Sequence, residues 1–250
     1  MVYILHSSGD MLKAYLTAKL TPQELESIHK AFELGAHSQF PTPLAELYIE
    51  DKPEYYDLTH SEIRKAETQE QPLLLIDKET PSDGGVWYID SFASEDEVED
   101  GEAESTDVLW KIRMKIEDVP ILHAGYDIAN SSIQEDLGNC GVELPVTEEF
   151  EQPKICTSGI NHDENRYQRP AWVTAEPGDF EESTENLFRL KEDVAKSNGL
   201  LSGWTPASTA KEVTMRDGSI KTFPEGSVVL QVRYDPDYAW PSYRRPEGSL

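Results

Sequence analysis

Hydrophobic and polar positions alternate most regularly in residues 108–116, where every second side chain is apolar. The apolar set is Val108, Trp110, Ile112, Met114 and Ile116, and the cations between them are Lys111, Arg113 and Lys115. A period of two residues predicts a strand with one buried face. We expect the apolar set to face the core and the cations to face solvent.

Further strands are predicted by short apolar runs that end at turn residues. Residues 73–76 and 86–89 are two such runs, and the Gly-containing segment between them predicts a hairpin. Residues 213–223 predict a second hairpin, because Asp217 and Gly218 accept the positive φ that a two-residue turn requires.

Helix starts are marked by capping boxes, in which a Thr and a Glu three residues later each bond the other's backbone amide. Thr21 and Glu24 form one such pair, and Thr59 and Glu62 form another. Apolar residues at helical spacing predict a further helix over residues 183–198.

These elements predict an α+β fold with a mainly antiparallel sheet, helices packed on it and a helical N-terminal third. Strands and helices do not alternate as they do in βαβ units, which disfavours a parallel α/β fold. We expect one domain over residues 1–250. The alternative is two domains, 1–146 and 153–250, because the segment between them is rich in Pro and Glu.

Residues 94–107 are the most acidic stretch of the chain, with eight Asp or Glu side chains. Such a segment is too charged to bury, so we expect a mobile loop. Asp96 and Asp107 have the spacing of the first and last ligands of a calcium-binding loop. Position three of that loop is Val98 and position twelve is Asp rather than Glu, so we reject an EF-hand, and loose binding of a divalent cation stays an alternative.

The charge of the whole chain excludes one class of partner and disfavours another. The sequence has 48 Asp and Glu against 22 Lys and Arg, a net charge of −26 at pH 7. Nucleic acids are polyanions, so we expect no nucleic-acid partner. The same charge disfavours anionic membrane surfaces, and no apolar run approaches the ~20 residues of a spanning helix, so we expect no membrane partner.

The chain lacks the sequence features of an exported or cofactor-dependent protein. Its start has neither the basic segment nor the long apolar segment of a secretory signal, so we expect a cytoplasmic protein. The two cysteines, Cys140 and Cys156, are expected to be reduced thiols. No phosphate-binding loop, dinucleotide fingerprint or paired metal-ligand motif is present, so we expect no cofactor and no resident metal.

The first group of candidate site residues follows a strand-like segment, residues 119–122. His123 and Asp127 are candidates for acid–base chemistry in a cleft, and Tyr126 is a candidate hydrogen-bond donor to a substrate oxygen. The structural alternative is a loop histidine and an aspartate that bonds backbone amides.

The second group is His162 and Asp163, in the densest polar cluster of the chain. A carboxylate beside an imidazole can orient the ring and support its charged form, which suits a general base. His162 and Glu164 have the spacing of a zinc deaminase motif, but the cysteine pair that completes such a site is missing downstream. The structural alternative is an exposed polar turn.

Two functional hypotheses stay open. The first is a soluble binding protein whose acidic surface selects a basic protein partner, as an inhibitor or immunity-type protein would. The second is a cofactor-independent enzyme that acts on a small-molecule ligand. Its acid–base candidates are His123, Asp127, His162 and Asp163, with Tyr126 as a donor. Acidity does not decide whether the chain is an enzyme, because many enzymes are acidic.

Overall fold

The structure is a computed structural model that describes residues 2–4, 10–38, 43–67, 71–164, 170–214, 219–238, 246 and 248–250. Contacts between Cα atoms divide the chain into two compact units whose segments interleave along the sequence. The larger unit contains Asp10–Ala36, Ala45–Ile160 and Arg244–Leu250, and the smaller unit contains Met1–Gly9, His37–Leu44 and Asn161–Tyr243. The single domain and the alternative division near residue 150 stay predictions.

Strands and helices are numbered in chain order. The strands are β1 (Val2–Ile4), β2 (Asp10–Leu16), β3 (Ala45–Glu50), β4 (Leu73–Ile76), β5 (Gly85–Phe92), β6 (Leu109–Lys115), β7 (Pro170–Ala175), β8 (Phe180–Glu182), β9 (Phe188–Leu190), β10 (Leu200–Leu201), β11 (Ala207–Thr209), β12 (Val213–Thr214), β13 (Ile220–Lys221) and β14 (Val228–Tyr234). The helices are α1 (Pro22–Ala36), α2 (His60–Ala66), α3 (Thr80–Asp83), α4 (Glu95–Glu99), α5 (Val119–Asp127), α6 (Ile133–Asn139) and α7 (Glu192–Ser197), with a 3-10 helix at Pro53–Tyr55.

The larger unit is built on a five-stranded mixed sheet with the order β3-β2-β4-β5-β6. Strand β2 pairs in parallel with β3 and β4, whereas β4, β5 and β6 pair antiparallel. In the register of β4 and β5, Leu74 lies opposite Tyr88. The hairpin predicted from residues 73–89 is therefore confirmed.

Both faces of this sheet are buried, because helices cover each side. On one face, Tyr88 of β5 and Trp110 of β6 join a core to which α1, α5 and α6 contribute. On the opposite face, Ile89 of β5 packs in a second core with Ile63 of α2 and Tyr55 of the 3-10 helix. The alternation of each strand thus places successive side chains in two different cores.

The cationic face of β6 is not exposed as predicted. Arg113 is 9% exposed, and its guanidinium nitrogens lie 2.5 Å from Asp77 Oδ2 and 3.1 Å from Asp83 Oδ2. The guanidinium carbon lies 5.6 Å from the centre of the Trp87 ring. This cation is buried because two carboxylates and an aromatic ring surround it.

Both predicted capping boxes are present. The Glu24 amide donates to Thr21 Oγ1 at 3.3 Å, and the Thr21 amide donates to Glu24 Oε2 at 2.7 Å, at the start of α1. Thr59 and Glu62 cap α2 in the same way. These helix starts are determined by local sequence, because each cap is completed within four residues.

The α+β class is confirmed, whereas the predicted helical N-terminal third is wrong. Two strands precede the first helix, which begins at Pro22. In β2, Leu12 and Ala14 are buried between the ladders of β3 and β4. The pairing partners of β2 lie 30 or more residues away in sequence, so the local pattern does not mark this strand.

The acidic segment 94–107, predicted as a loop, contains the short helix α4. Ser94 and Glu97 form a third capping box at its start. Ala103 is buried and forms a parallel bridge with Val146. Most acidic side chains of the segment are exposed, so their charges are solvated, and the mobility of the segment stays a prediction.

The smaller unit contains an antiparallel sheet in the order β1-β7-β14-β10, and β11 also pairs with β14. The predicted hairpin of residues 213–223 is confirmed by the pairing of β12 with β13. Its turn residues, Asp217 and Gly218, lie outside the described residues.

The predicted helix over residues 183–198 is wrong in its first half. Strand β9 pairs with β8 there, and only Glu192–Ser197 is helical. The ring centroids of Phe180 and Phe188 lie 5.8 Å apart across the two strands. Arg189 Nε donates a hydrogen bond to Glu181 Oε2 at 2.8 Å. These cross-strand contacts favour the strand.

Among the described residues, no helix combines the length and the apolar character that crossing a membrane requires.

Candidate functional site

A cleft of about 360 Å³ lies in the larger unit, between β5 and the helices α5 and α6. Its volume falls in the range of small-molecule sites, about 300–1,000 Å³. The residues that line it are Gln71, Pro72, Tyr88, Asp90, His123, Tyr126, Asp127, Ala129, Ser131, Ser132, Ile133 and Gln134. We call this cavity the α5–α6 cleft.

A buried pair of polar side chains forms one wall of the cleft. The hydroxyl oxygen of Tyr88 lies 3.0 Å from Nδ1 of His123, within hydrogen-bond distance. Tyr88 is 2% exposed and His123 is 7% exposed. No described residue forms a hydrogen bond with His123 Nε2, so this nitrogen is the one that a ligand can engage.

Burial moves the ionisation of both partners toward the neutral form. It lowers the pKa of His123 below the ordinary value of 6.5, although Asp127, Asp10 and Asp90 oppose the shift. It also raises the pKa of Tyr88, and the negative charges of Asp90 and Asp127 add to that effect. At neutral pH the pair is therefore an uncharged imidazole and an uncharged phenol.

Asp90 is a carboxylate of the cleft, and its pKa is raised. Burial raises its pKa above the ordinary value of 3.8, and the nearby charge of Glu97 acts in the same direction. A backbone hydrogen bond at Ser91 and the charges of Arg64 and His123 oppose the shift. Asp90 thus holds its proton to a higher pH than an exposed Asp does.

The hydroxyl of Tyr126 is already engaged. It donates to Asp136 Oδ2 at 2.7 Å, and its ring packs edge-on against Tyr88 with centroids 5.5 Å apart. Burial and the hydrogen bond to Asp136 raise the Tyr126 pKa. Tyr126 therefore packs against Tyr88, and its hydroxyl is engaged by Asp136.

The connection between α5 and α6 holds a residue in an unusual backbone conformation. Ala129 has a φ of 53°, in the left-handed region that favours glycine. The Asn130 amide donates to Gly125 O at 2.9 Å and the Ala129 amide donates to Tyr126 O at 3.1 Å, as in a Schellman motif. Ala129 thus occupies the position that ends α5, which glycine usually fills.

The structure brings His123, Tyr126 and Asp127 together in the cleft. They lie on helix α5, so the strand predicted for residues 119–122 is wrong. Pro120 stands in the first turn of this helix, where its missing amide proton costs no hydrogen bond. The roles predicted for these three residues stay predictions.

His162 and Asp163 belong to the smaller unit, and His123 belongs to the larger one. His162 is 5% exposed and its Nδ1 lies 2.7 Å from Ser38 Oγ. Asp163 is exposed. His162 is therefore not part of an exposed polar turn, and its catalytic role stays a prediction.

Two ionisable residues that line the cleft, Tyr88 and Asp90, were not among the sequence candidates. Tyr88 lies on the core side of β5 and has the sequence pattern of an ordinary core residue. Asp90 is one of 48 acidic residues, so its type alone does not distinguish it. The only sequence signal for Asp90 is its position, two residues after Tyr88 on an apolar strand, where it shares the Tyr88 face. A polar residue at a core-facing strand position is the pattern that identifies it.

A second cavity of about 230 Å³ shares Gln71 and Pro72 with the cleft. Its carboxylate, Glu67, lies 2.5 Å from Lys52 Nζ and accepts a 2.6 Å hydrogen bond from the Tyr55 hydroxyl. Burial opposes the shift, but these hydrogen bonds lower the Glu67 pKa. The polar side chains of this network bond one another, so we interpret its role as structural.

The cysteines and the acidic side chains offer no other chemistry in the described part of the chain. Cys140 and Cys156 are both buried thiols. Burial and the neighbouring Cys140 raise the pKa of Cys156 to about 12, so that thiol stays protonated. Within the described ranges, no three His, Cys, Asp or Glu side chains are grouped so that they could hold a metal ion.

Comparison of the chain with protein-family models, with curated protein sequences and with solved structures finds no match.

Proposed function

We propose that the protein binds a small molecule in the α5–α6 cleft and exchanges a proton with it through His123. The observation that carries this proposal is the buried Tyr88–His123 pair in the wall of a ligand-sized cavity. This proposal describes a cofactor-independent enzyme that uses His and Asp side chains for acid–base chemistry.

Burial shifts the pKa values of His123 and Asp90 in opposite directions. It lowers the His123 pKa, so the imidazole stays a neutral base to a lower pH than usual. It raises the Asp90 pKa toward neutral pH, so this carboxylate is a stronger base than that of an exposed Asp. Perturbed pKa values of this kind concentrate at functional sites.

Tyr88 determines which form of His123 a ligand meets. When Nδ1 carries the hydrogen, it donates to the Tyr88 oxygen and leaves Nε2 as a proton acceptor. When Nδ1 is unprotonated, the Tyr88 hydroxyl donates to it and Nε2 carries the hydrogen. Tyr88 supports both tautomers because burial keeps its hydroxyl protonated, so the pair can accept or return a proton at Nε2.

The test is an NMR titration of the histidine ring signals with pools of small polar metabolites. The His123 signal is assigned by its loss in His123→Gln, since the chain has six histidines. We expect at least one pool to shift this signal. Ser131→Trp, which places a large side chain in the cleft wall, should abolish the shift, whereas Thr106→Trp on an exposed turn should not.

The proposal fails if no pool shifts the His123 signal. It also fails if the shift survives in folded Ser131→Trp. A bound molecule identified in this way then becomes the substrate for an activity assay, in which His123→Gln is expected to lower the rate at least a hundredfold.

A second candidate function, binding of a basic protein partner, rests on a separate observation. Three acidic side chains of α4, Glu95, Asp96 and Glu99, are exposed, and none of the ion pairs between described residues includes an acid of residues 94–107. Buried Arg113 is instead paired with Asp77 and Asp83. The negative surface is thus left uncompensated and attracts cationic partners.

This candidate is tested by affinity capture from a lysate with a charge-reduced variant. Wild type is compared with Glu95→Gln/Asp96→Asn/Glu99→Gln, and the control removes three exposed charges elsewhere through Glu182→Gln/Glu185→Gln/Asp193→Asn. We expect a stoichiometric basic protein with wild type and with the control, and its loss with the first variant. Equal capture by all three proteins contradicts this candidate.

A further inference from the structure

The charged groups that line the α5–α6 cleft are carboxylates. Asp90 and Asp127 line it, and no Lys or Arg does so among the described residues. Both carboxylates act electrostatically on the Tyr88–His123 pair, so they lie close to the same two side chains. Asp10 adds a third negative charge that His123 senses.

Helix α5 contributes negative potential to the same place. Asp127 is its last residue, and the helix has no basic side chain in its last turn. The C-terminal end of a helix carries a partial negative charge, so the helix dipole repels a carboxylate there. A bound cation would relieve this repulsion, and a bound anion would increase it.

The neutral polar groups of the cleft also include acceptors. The side-chain amide of Gln134 donates to Glu97 Oε1 at 2.7 Å, and its carbonyl oxygen is a hydrogen-bond acceptor. His123 is nine-tenths buried and its Nε2 has no hydrogen-bond partner among the described residues. In the tautomer with the hydrogen on Nδ1, Nε2 is a further acceptor.

We propose that the ligand of this cleft is a small organic cation, an amine that is protonated at neutral pH. Its ammonium group would donate to the carboxylates of Asp90 and Asp127, and its organic part would fill the remaining volume of the cavity. This inference rests on the proposed function and specifies its substrate class. A net charge of −26 adds long-range attraction for such a ligand.

Two features of the cleft oppose this assignment and are outweighed. Arg64 adds a positive charge near Asp90, but it does not line the cleft, whereas Asp90 and Asp127 both do. The first turn of α6 also lines the cleft, but the amide of Glu135 already donates to Ser132 Oγ at 3.2 Å. The acidic side chains Glu135 and Asp136 further offset the positive end of this seven-residue helix.

The experiment compares three probes of similar size and different charge: benzylamine, benzyl alcohol and benzoate. Each is titrated into the full chain at pH 7, and binding is followed by the ring signals of His123. We expect benzylamine to bind at least tenfold more tightly than benzyl alcohol, and benzoate not to shift the signal. This ratio corresponds to about 1.4 kcal/mol.

Charge-neutralising variants separate the cleft from the general field of the protein. Asp90→Asn and Asp127→Asn should each weaken benzylamine binding about tenfold, because each removes a nearby charge. Asp57→Asn removes an exposed charge that does not line the cleft, and its benzylamine affinity should stay within about twofold of wild type. Circular dichroism verifies that each variant is folded.

The outcomes distinguish this inference from the proposed function. If benzyl alcohol or benzoate shifts the His123 signal as strongly as benzylamine, the cationic ligand class is wrong and the cleft remains a binding site. Equal weakening by Asp57→Asn and the two cleft variants also overturns the ligand class. If none of the three probes shifts the signal, this inference fails, and the metabolite titration above decides the proposed function on its own.

Discussion

The hydroxyl of Tyr88 on strand β5 and Nδ1 of His123 on helix α5 lie 3.0 Å apart, although 35 residues separate them in sequence. Each side chain is almost fully buried, so each satisfies the other's hydrogen-bonding group away from water. This pair joins the sheet to the helix that forms a wall of the α5–α6 cleft. Its integrity is expected to matter for stability as well as for ligand binding.

Tyr88→Phe tests the stability of this pair. The substitution leaves His123 Nδ1 buried without a partner, and the free energy of unfolding should fall by about 1–3 kcal/mol. Urea denaturation at pH 7 measures the change. Tyr56→Phe is the matched control, because Tyr56 bonds Asp51 on the surface, and its effect should stay within about 0.5 kcal/mol.

Ala129→Gly tests the strain at the edge of the cleft. Ala129 has a φ of 53°, which glycine adopts without steric cost, so the variant should be more stable than wild type by about 1 kcal/mol. Ala124→Gly, inside helix α5, is the control and should lower stability by about 1 kcal/mol. A destabilised Ala129→Gly protein would contradict the Schellman interpretation.

Arg113→Met tests the buried ion pairs of β6. The substitution removes the cation from Asp77, whose carboxylate is bonded at 2.5 Å, and from Asp83. Breaking a buried pair from one side leaves an uncompensated charge, so stability should fall by about 3–5 kcal/mol. Lys30→Met removes an exposed partner of Glu26, and thermal unfolding should show a change below about 0.5 kcal/mol.

His60 is expected to make stability depend on acid pH. Burial, with the positive charges of Lys111 and Arg113, lowers its pKa to about 4, against a partial opposing effect of Asp77. The folded-state pKa lies below the ordinary value of 6.5, so the unfolded chain takes up the proton first as the pH falls. Stability from this group is therefore complete above pH 6.5 and is lost progressively toward pH 4, by about 3 kcal/mol.

His60→Phe isolates this contribution, since His60 packs against Trp87 with ring centroids 5.1 Å apart and its buried Nδ1 has no hydrogen-bond partner in the described part of the chain. Urea unfolding of wild type and variant at pH 7 and pH 4 gives the difference. The expected result is a smaller loss of stability in the variant. An equal loss in both proteins would show that other groups carry the acid sensitivity.

The elements that local sequence predicted are those whose stabilising contacts are completed nearby. The capping boxes of α1 and α2 close within four residues, and the β4–β5 and β12–β13 hairpins join adjacent segments. The third capping box, formed by Ser94 and Glu97, is also present in the sequence, but the acidic residues around it favoured a loop prediction. The acidic composition of residues 94–107 predicted a loop, whereas the cap at Ser94 and the bridge formed by buried Ala103 stabilise an ordered structure.

For the candidate site, the sequence identified the chemical types but not their arrangement. His123 and Asp127 were predicted to line a cleft and Tyr126 to donate to a substrate; all three line the α5–α6 cleft, and their chemical roles stay predictions. The segment before them was taken as a strand because 119–122 is apolar, but Pro120 suits the first turn of a helix. Tyr88 and Asp90 were missed because their partners come from another part of the chain.

The sequence by itself determined the starts of α1 and α2, the alternation of β6, the two hairpins and the strongly acidic charge, because each depends on neighbouring residues or on composition alone. Only the tertiary structure decided that β2 lies between β3 and β4, that Arg113 is buried with two carboxylates and that Tyr88 meets His123. These relationships join residues far apart in sequence. They form because the hydrophobic effect favours burial of both sheet faces, and segments distant in sequence must pack together to bury them.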